Sequence, residues 1–528
     1  MRGPSRDLTV VRIPLRSAKH HFGVSFSRGT RPYNEDTYQA GTIEIPAFAK
    51  RAPVSLSRSE GSATAKDATG EATSAGSASG DPQVFYFGVF DGHGGNECSD
   101  FLREELHEYI EVASGEFELG SSLQKTSKKK KEELKQKEEQ RISESNILSN
   151  GKDSLAAIPI KSQAGVKPSM QVPSGSPNGR MDKTPSASAL DGNEPVQQAV
   201  NKAKALDLEI SLVKQWKETV GGYFRRFKPQ YFSVSSTSSC SGIEKSRITK
   251  DDDTPQPPIS IETVLMYAFL RADLDFVTAQ ASKPDPESTS DLPLNHDEIL
   301  GEPSRQSHRG RIGGPIRFKG GSTASVAMIS TPTPTPFWHP ASPSTLLAAH
   351  VGDTRILLCE TSTGLALPVT TNHHPSSPVE GTRLRRYAAA FVTDSFGEER
   401  MSGLANTRSF GDMRSKRIGV SAEPEIRRYE LGPAQYSFLV LVSDGVSGTL
   451  SDQEIVDVVK EAKTPEQGAR DVVAFATEVS KEGDNATCLV IRLGGWERRS
   501  EGGMGSLGTK EVRDYRKQDA TDPRSRRT

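Results

Sequence analysis

Four aspartates stand beside apolar, strand-like segments: Asp36, Asp91, Asp444 and Asp484. Asp91 follows the run VFYFGVF and opens a Gly-rich turn, and Asp444 follows the run LVLVS. Carboxylates that converge on one point repel each other unless cations compensate their charge. Oxygen ligands without a His or Cys cluster favour Mg²⁺ or Mn²⁺ over zinc. The pattern therefore predicts a site for divalent cations.

Further polar residues adjoin these aspartates. Arg31 and Glu35 precede Asp36, and a turn between them could aim the Arg31 and Asp36 side chains into one cleft. Glu35 and Asp36 are costly to bury side by side unless a cation balances them. His93 follows Asp91 by two residues, so it would be held close to a metal bound there. Taken singly, each segment also fits an ordinary reading: a Gly-rich turn, a solvated acidic pair or a turn that ends a strand.

The elements that must position these residues show both strand and helix patterns. VFYFGVF is typical of a buried strand, and the segment FLREELHEYI after it repeats apolar residues at helical spacing. The segments VQQAVNKAKALDLEISLVKQWKETV and IETVLMYAFLRADLDFV also predict helices. From about residue 316 to residue 493, strand and turn signals are dense.

Shifts in composition divide the chain. We predict a single domain over residues 21–493 with long insertions in surface loops, which cost little loop-closure entropy. Polar, low-complexity composition marks the insertions as disordered. They are predicted at about 49–82, 113–197, 230–258 and 278–315. Residues 494–528 are expected to form a disordered tail.

The overall composition excludes several classes of protein. The 528 residues are 34% hydrophobic, and 67 basic against 68 acidic residues leave a net charge of −1, so no general attraction to nucleic acid or membranes is expected. No segment approaches the ~18 apolar residues that span a bilayer. The scattered cysteines predict neither a disulfide framework nor a zinc site. They are Cys98, Cys240, Cys359 and Cys488.

The first twenty residues are basic. They hold four arginines and a lysine against the single acid Asp7, the composition of a mitochondrial targeting segment. Pro4 and Pro14 would interrupt an amphipathic helix there, so a short basic leader on a cytoplasmic protein is the alternative. A mitochondrial location is the expectation.

The motifs, taken in order, resemble those of one known family. RPYNED, FGVFDGHGG, GSTASVAMI, AAHVGDTRILL, LANTRSFGD, SDG and GDNAT are similar to the motif series of the type 2C (metal-dependent, PPM) protein phosphatases. The resemblance covers about residues 21–112 and 259–493. It implies an α+β fold, an α-β-β-α sandwich of two antiparallel sheets flanked by helices, with a metal site at one end.

The resemblance also implies roles for individual residues. Arg31 would hold the substrate phosphate, and His93 would protonate the leaving group. Glu35 would act on a metal through water, and Asp353 would belong to a third, weaker metal site. The ligands of two Mg²⁺ or Mn²⁺ ions would be Asp36, Asp91, Gly92, Asp444 and Asp484.

These roles imply a protein serine/threonine phosphatase that hydrolyses phosphoserine and phosphothreonine. Two cations would activate a water molecule for attack on phosphorus. The expected partners are phosphoprotein substrates, with no nucleic acid, and the chain is expected to be a monomer.

One departure from the family pattern leaves an alternative open. The family usually places an aspartate four residues after the SDG aspartate, and Gly448 stands there instead. Occupancy of a third metal site is therefore in question. The alternative is a catalytically weak or inactive scaffold with the phosphatase fold. A second alternative, nucleic-acid binding by the KKKK run at 128–131, is opposed by the glutamates that follow it and by the lack of neighbouring aromatic residues.

Overall fold

A computed structural model describes residues 21–51, 81–123, 201–233, 259–284, 312–385, 391–393, 399–401, 403–480, 483–499 and 505–521. These residues belong to one compact unit of the chain, formed by residues 1–123 and 197–528. The basic leader and most of the predicted insertions lie outside the described residues. The predictions of disorder made for them stay predictions.

The first of two large sheets has five antiparallel strands in the order β1-β13-β12-β6-β7. Its strands are β1 (Phe22–Ser27), β6 (Arg355–Glu360), β7 (Ala366–Pro368), β12 (Tyr436–Val442) and β13 (Ala486–Arg492).

The second large sheet is also antiparallel, in the order β11-β5-β4-β3-β2, and the short β10 pairs with β4. Its strands are β2 (Thr37–Ile43), β3 (Val84–His93), β4 (Gly321–Ser330), β5 (Ser344–Val351), β10 (Phe410–Gly411) and β11 (Glu425–Leu431). A separate small ribbon joins β8 (Phe391–Thr393) to β9 (Glu399–Met401).

Helices cover the outer faces of both sheets. On the second sheet lie α1 (Glu97–Glu116) and α3 (Ile261–Ala281), and α2 (Lys202–Thr219) packs against α3. On the first sheet lie α7 (Asp452–Glu461) and α8 (Pro465–Val479). Shorter helices are α4 (Pro378–Arg385), α5 (Met413–Lys416) and α6 (Asp444–Ser447), with 3₁₀ turns at Gly222–Arg226 and Trp496–Arg498, and the last helix is α9 (Gly505–Thr521).

The alternation of side chains along β3 explains the layering. Phe87 and Val89 point into the core between the two sheets, where they join Leu358, Leu441 and Ile491 from the first sheet. The intervening β3 side chains face the other way, into a core shared with the helices. Both faces of the strand are buried, so its sequence is apolar without interruption. The predicted α-β-β-α sandwich is confirmed.

The outer cores complete the four layers. Leu102 of α1 and Phe276 of α3 are buried against the second sheet, and Val456 of α7 and Phe475 of α8 are buried against the first. Each such side chain contributes about 1.5–3 kcal/mol relative to an exposed position. The site at the end of the sandwich therefore stands on rigidly packed elements.

Residues 494–528 were predicted to form a disordered tail, but part of this segment is helical. Residues 505–521 form α9, which packs on α7 and α8. Arg513 pairs with Glu478, and Arg516 pairs with Glu454. Because ion pairs hold this helix rather than a broad apolar face, its polar composition resembled that of a disordered segment. At two of the predicted insertions the helices also continue further than expected: α1 ends at Glu116, and α3 ends at Ala281.

Within the described ranges, none of the helices combines the length and apolar character needed to cross a lipid bilayer.

Candidate metal centre

The strand ends at one edge of the sandwich bring the predicted aspartates together. Thr37 at the start of β2 pairs with Phe90 near the end of β3, so Asp36 and Asp91 are neighbours. On the other sheet, the end of β12 lies beside the start of β13, which brings Asp444 and Asp484 to the same edge. Antiparallel pairing places the end of one strand beside the start of the next, and this explains the convergence.

Three carboxylates form the closest group. Asp91, Asp353 and Asp444 each offer an oxygen atom, and these atoms lie within 4.8 Å of one another. Asp353 lies in the turn between β5 and β6. The backbone N–H of Asp444 donates to Oδ2 of Asp91 over 3.2 Å. This bond ties the two sheets together at the site.

Glycines allow backbone segments of the site to approach closely. A Cβ atom at Gly445 would lie 1.9 Å from the carbonyl oxygen of Asn485, so α6 can contact the segment that precedes β13 only because position 445 has no side chain. A Cβ atom at Gly92 would lie 2.6 Å from the carbonyl oxygen of Glu35. Glycine at these positions is therefore a requirement of the site.

Asp36 has one satisfied and one unsatisfied carboxylate oxygen. Its Oδ2 atom accepts a hydrogen bond of 2.7 Å from the Thr487 hydroxyl. Its Oδ1 atom is buried and has no hydrogen-bond partner among the described residues. A buried carboxylate oxygen without a hydrogen-bond partner destabilises the fold unless another group, such as a cation, interacts with it.

The electrostatics of the cluster favour a cation. Burial raises the pKa of Asp91 well above its usual range, and the charges of Asp444, Asp36 and Asp353 raise it further. Burial and the charges of the neighbouring aspartates also raise the pKa of Asp444 well above its usual range. Burial raises the pKa of Asp36 to about 6, against the lowering effect of the Thr487 hydrogen bond. These carboxylates are unstable as a group of unbalanced anions, so the residues present fit a metal site.

Arg31 and Glu35 lie at the mouth of the site. Nη2 of Arg31 is 2.9 Å from Oδ2 of Asp484, and the arginine side chain is 51% exposed. The Glu35 carboxylate accepts a hydrogen bond from the backbone N–H of Gly95. Arg31 thus combines a fixed position with access to solvent.

His93 is paired with a carboxylate that the sequence analysis did not single out. Its Nε2 atom lies 3.0 Å from both carboxylate oxygens of Asp412. Burial alone would lower the pKa of His93, but the Asp412 carboxylate outweighs burial and raises it. The motif LANTRSFGD contains Asp412 and was the available signal.

A buried ion pair fixes the segment that carries Asp412. Nζ of Lys416 lies 2.5 Å from Oδ2 of Asp273, and both side chains are fully buried. Asp273 also accepts a hydrogen bond of 2.9 Å from the Gly411 N–H, and Lys416 donates one of 2.7 Å to the Ser409 carbonyl. These contacts anchor the 409–412 turn to α3. No sequence signal linked Asp273 to this turn, because the pairing depends on the folded arrangement.

A cleft of about 850 Å³ contains most of the predicted site. Asp36 does not line this cleft and instead borders a neighbouring groove. The predicted residues that line the cleft are Arg31, Glu35, Asp91, Gly92, His93, Asp353, Asp444 and Asp484.

Sequence comparison identifies the family. The family model for protein phosphatase 2C matches residues 55–166 and 302–485, more than half of the 528 residues. The chain belongs to the protein phosphatase 2C family.

Individual relatives match a smaller part of the chain than the family model does. Protein phosphatase 2C homolog 4 of Schizosaccharomyces pombe is 36% identical over 259 residues, 46% of this chain and 59% of that protein. The mitochondrial protein phosphatase 1K of Xenopus laevis is 36% identical over 152 residues, 29% of this chain and 40% of that protein. The chain therefore matches less than two thirds of the length of these relatives. A crystal structure of serine-threonine phosphatase 2C from Toxoplasma gondii is 13% identical with a TM-score of 0.41, and the match covers 89% of this chain and 94% of that one.

Proposed function

We propose that this chain is a protein serine/threonine phosphatase that hydrolyses phosphoserine and phosphothreonine with two Mg²⁺ or Mn²⁺ ions. The observation that carries the proposal is the group formed by Asp91, Asp353 and Asp444, whose carboxylate oxygens lie within 4.8 Å of one another. Burial and mutual repulsion make this group unfavourable without divalent cations. Membership of the protein phosphatase 2C family supports the same reaction.

The metal ligands are proposed from the residues at the strand ends. They are Asp36, Asp91, the Gly92 carbonyl, Asp444 and Asp484, with Glu35 acting through water. When bound, the cations would supply an activated water molecule for attack on phosphorus. The unsatisfied Oδ1 atom of Asp36 supports its role as a ligand, because a cation would complete it.

Arg31 and His93 are proposed to act on the substrate. The exposed Arg31 guanidinium would hold the phosphate and balance its negative charge. The Nε2 atom of His93 is engaged by Asp412, so Nδ1 would donate the proton to the leaving oxygen of the serine or threonine. The raised pKa of His93 supports this role, because the ring must be protonated before it donates. Asp412 is a positioning residue that fixes the ring.

A weak or inactive scaffold is the second candidate, and Gly448 is its support. The family pattern places a carboxylate at this position, and Asp353 would share a third metal with it. In this chain position 448 offers no carboxylate, and the Asp353 carboxylate lies close to those of Asp91 and Asp444. Loss of a third metal would slow turnover, whereas the ligands of the two main metals remain.

Hydrolysis measured with and without metal separates the two candidates. The chain should release phosphate from p-nitrophenyl phosphate and from a phosphothreonine peptide when Mn²⁺ is added, and chelation should stop the reaction. Asp91→Asn should abolish this activity, and Asp207→Asn, a change on the exposed face of α2, should leave it intact. No Mn²⁺-dependent release by the wild-type chain would favour the scaffold.

A mitochondrial location is part of the proposal. Its supports are the basic composition of residues 1–20 and the mitochondrial protein phosphatase 1K among the relatives. A fluorescent protein fused to the C-terminus should co-localise with a mitochondrial marker, and diffuse cytoplasmic fluorescence would contradict the proposal.

A further inference from the structure

Two arginines line the active cleft on the side where Gly448 stands. They are Arg355, at the start of β6, and Arg516, in α9. We call these two residues the basic rim. Neither belongs to the metal centre or to the groups proposed to act on the scissile phosphate.

Arg516 is held in place by three groups. Its Nη1 atom lies 3.1 Å from both carboxylate oxygens of Glu454, and its Nη2 atom donates to the Thr449 carbonyl over 2.7 Å. The guanidinium also lies 5.9 Å from the centre of the buried Phe475 ring. Its side chain remains 32% exposed. A guanidinium fixed in this way presents its remaining N–H groups with little loss of side-chain entropy.

Arg355 is also paired with a carboxylate at the N-terminus of α7. Its Nε atom lies 3.1 Å from Oδ1 of Asp452, and its side chain is 35% exposed. Asp452 and Glu454 both belong to the first turn of α7, where Glu454 also forms a capping box with Ser451. One helix end therefore anchors both arginines.

The carboxylates that anchor the basic rim do not face the cleft. Arg355 and Arg516 line it, whereas Asp452 and Glu454 do not. Gly448 lines the same side, next to the Thr449 carbonyl that Arg516 contacts. An acidic side chain at position 448 would stand beside the rim and oppose its charge. With glycine there, the rim offers two cations to an anion entering the cleft.

We propose that the basic rim binds a second anionic group of the phosphoprotein substrate, close to the phosphate that is hydrolysed. The group is a carboxylate or a second phosphate, because both accept the paired N–H donors of a guanidinium. This inference rests on the proposed phosphatase function and assigns a preference for acidic or doubly phosphorylated sites. Arg516 and Arg355 are specificity-determining residues in it.

Binding of matched peptides tests the proposal without requiring turnover. Three fluorescent phosphothreonine peptides are compared by anisotropy in the presence of Ca²⁺: one with neutral flanks, one with glutamates on both sides, and one with an added phosphoserine. The wild-type chain should bind at least one anionic peptide about tenfold more tightly than the neutral one. Arg516→Gln should reduce this ratio to about threefold or less. The peptide that shows the preference identifies a carboxylate or a phosphate as the second group.

Two further variants test whether Arg516→Gln changes the binding ratio only by disturbing α9. Arg513→Gln breaks a different ion pair of this helix, does not touch the cleft, and should leave the ratio unchanged. Arg355→Gln should lower the ratio without altering α9. Equal affinity of the wild-type chain for all three peptides would overturn the proposal. So would an unchanged ratio in both rim variants, or an equal loss in Arg513→Gln.

Failure of the proposed phosphatase function would give a different result from failure of the basic-rim proposal. A chain that keeps the binding preference but releases no phosphate with Mn²⁺ would refute catalysis and leave the basic rim supported. A chain that hydrolyses all three peptides with the same KM and kcat would support catalysis and refute the rim.

Discussion

The backbone N–H of Asp444 donates a hydrogen bond of 3.2 Å to the carboxylate of Asp91. Asp91 lies two residues before the end of β3 in one sheet, and Asp444 follows β12 of the other. The contact therefore fixes the distance between the two halves of the sandwich at the point where the carboxylates gather. The fold positions the site through the ends of paired strands.

Removing the charge of Asp91 should separate metal binding from folding. Asp91→Asn should abolish Mn²⁺-dependent hydrolysis. It should also relieve repulsion in the metal-free chain, because burial and three neighbouring carboxylates oppose ionisation there. In differential scanning fluorimetry, the metal-free Tm of the variant should equal or exceed that of the wild type. The rise in Tm that Mn²⁺ causes in the wild type should be absent.

The matched control is Asp207→Asn, which removes a carboxylate from an exposed helical position. It should keep both the activity and the Tm response to Mn²⁺. A metal-free Tm of Asp91→Asn several degrees below that of the wild type would contradict the repulsion argument.

The role proposed for His93 predicts a dependence on the leaving group. A phosphothreonine ester has a poor leaving group that needs a proton, whereas p-nitrophenolate leaves without one. His93→Asn should lower kcat on a phosphothreonine peptide by about 10²–10⁴-fold and lower kcat on p-nitrophenyl phosphate much less. Asp412→Asn should show the same pattern with a smaller loss, because it acts by fixing the ring.

Comparing two substrates on one preparation removes any effect of partial unfolding. Equal losses on the peptide and on p-nitrophenyl phosphate would show that His93 does not donate the proton.

Part of this arrangement could be read from the sequence. The apolar runs before Asp91 and Asp444 predicted strands, and the turn residues after them placed carboxylates at strand ends. Family motifs supplied the roles of Arg31 and Asp353. The pattern of four aspartates at strand ends was visible because each lies within a short local motif.

Other parts depend on contacts between distant residues. The His93–Asp412 pair joins positions 319 residues apart, and neither local segment indicates the other. α9 gave no apolar periodicity, because arginines that pair with Glu454 and Glu478 hold it in place. Tertiary ion pairs of this kind leave no periodic pattern in the sequence.

Replacing Asp353 should weaken metal binding more than it disturbs the fold. Its carboxylate lies within 4.8 Å of those of Asp91 and Asp444, so its charge contributes to holding cations there. Asp353→Asn should raise the Mn²⁺ concentration that gives half-maximal hydrolysis by about tenfold or more, corresponding to ~1.4 kcal/mol. The measurement is activity on p-nitrophenyl phosphate across a Mn²⁺ titration. An unchanged midpoint would place Asp353 outside the metal centre.

A buried ion cluster beside the cleft predicts how stability changes with pH. Glu380 is 1% exposed and accepts hydrogen bonds from Arg383 and Arg408. Burial alone would raise the pKa of Glu380, but the two arginines outweigh burial and lower it to about 2. The folded pKa lies below the unfolded one, so this stabilisation is complete above about pH 4.5 and is lost as the pH falls toward 2.

Glu380→Gln should lower the free energy of unfolding at pH 7 by on the order of 3 kcal/mol. The difference between wild type and variant should shrink as the pH falls from 5 toward 2. Urea unfolding at several pH values measures it, with Glu218→Gln on the exposed face of α2 as the control. A difference that stays constant over this range would contradict the assignment.

Anomalous diffraction from crystals soaked in Mn²⁺ tests the central claim most directly, because it locates the ions without reference to activity. We predict two manganese peaks at the end of the sandwich, both within coordination distance of Asp91, with Asp36, Asp444 and Asp484 completing the ligand set. Crystals that show no manganese at Asp91, or manganese only elsewhere on the surface, would contradict the account.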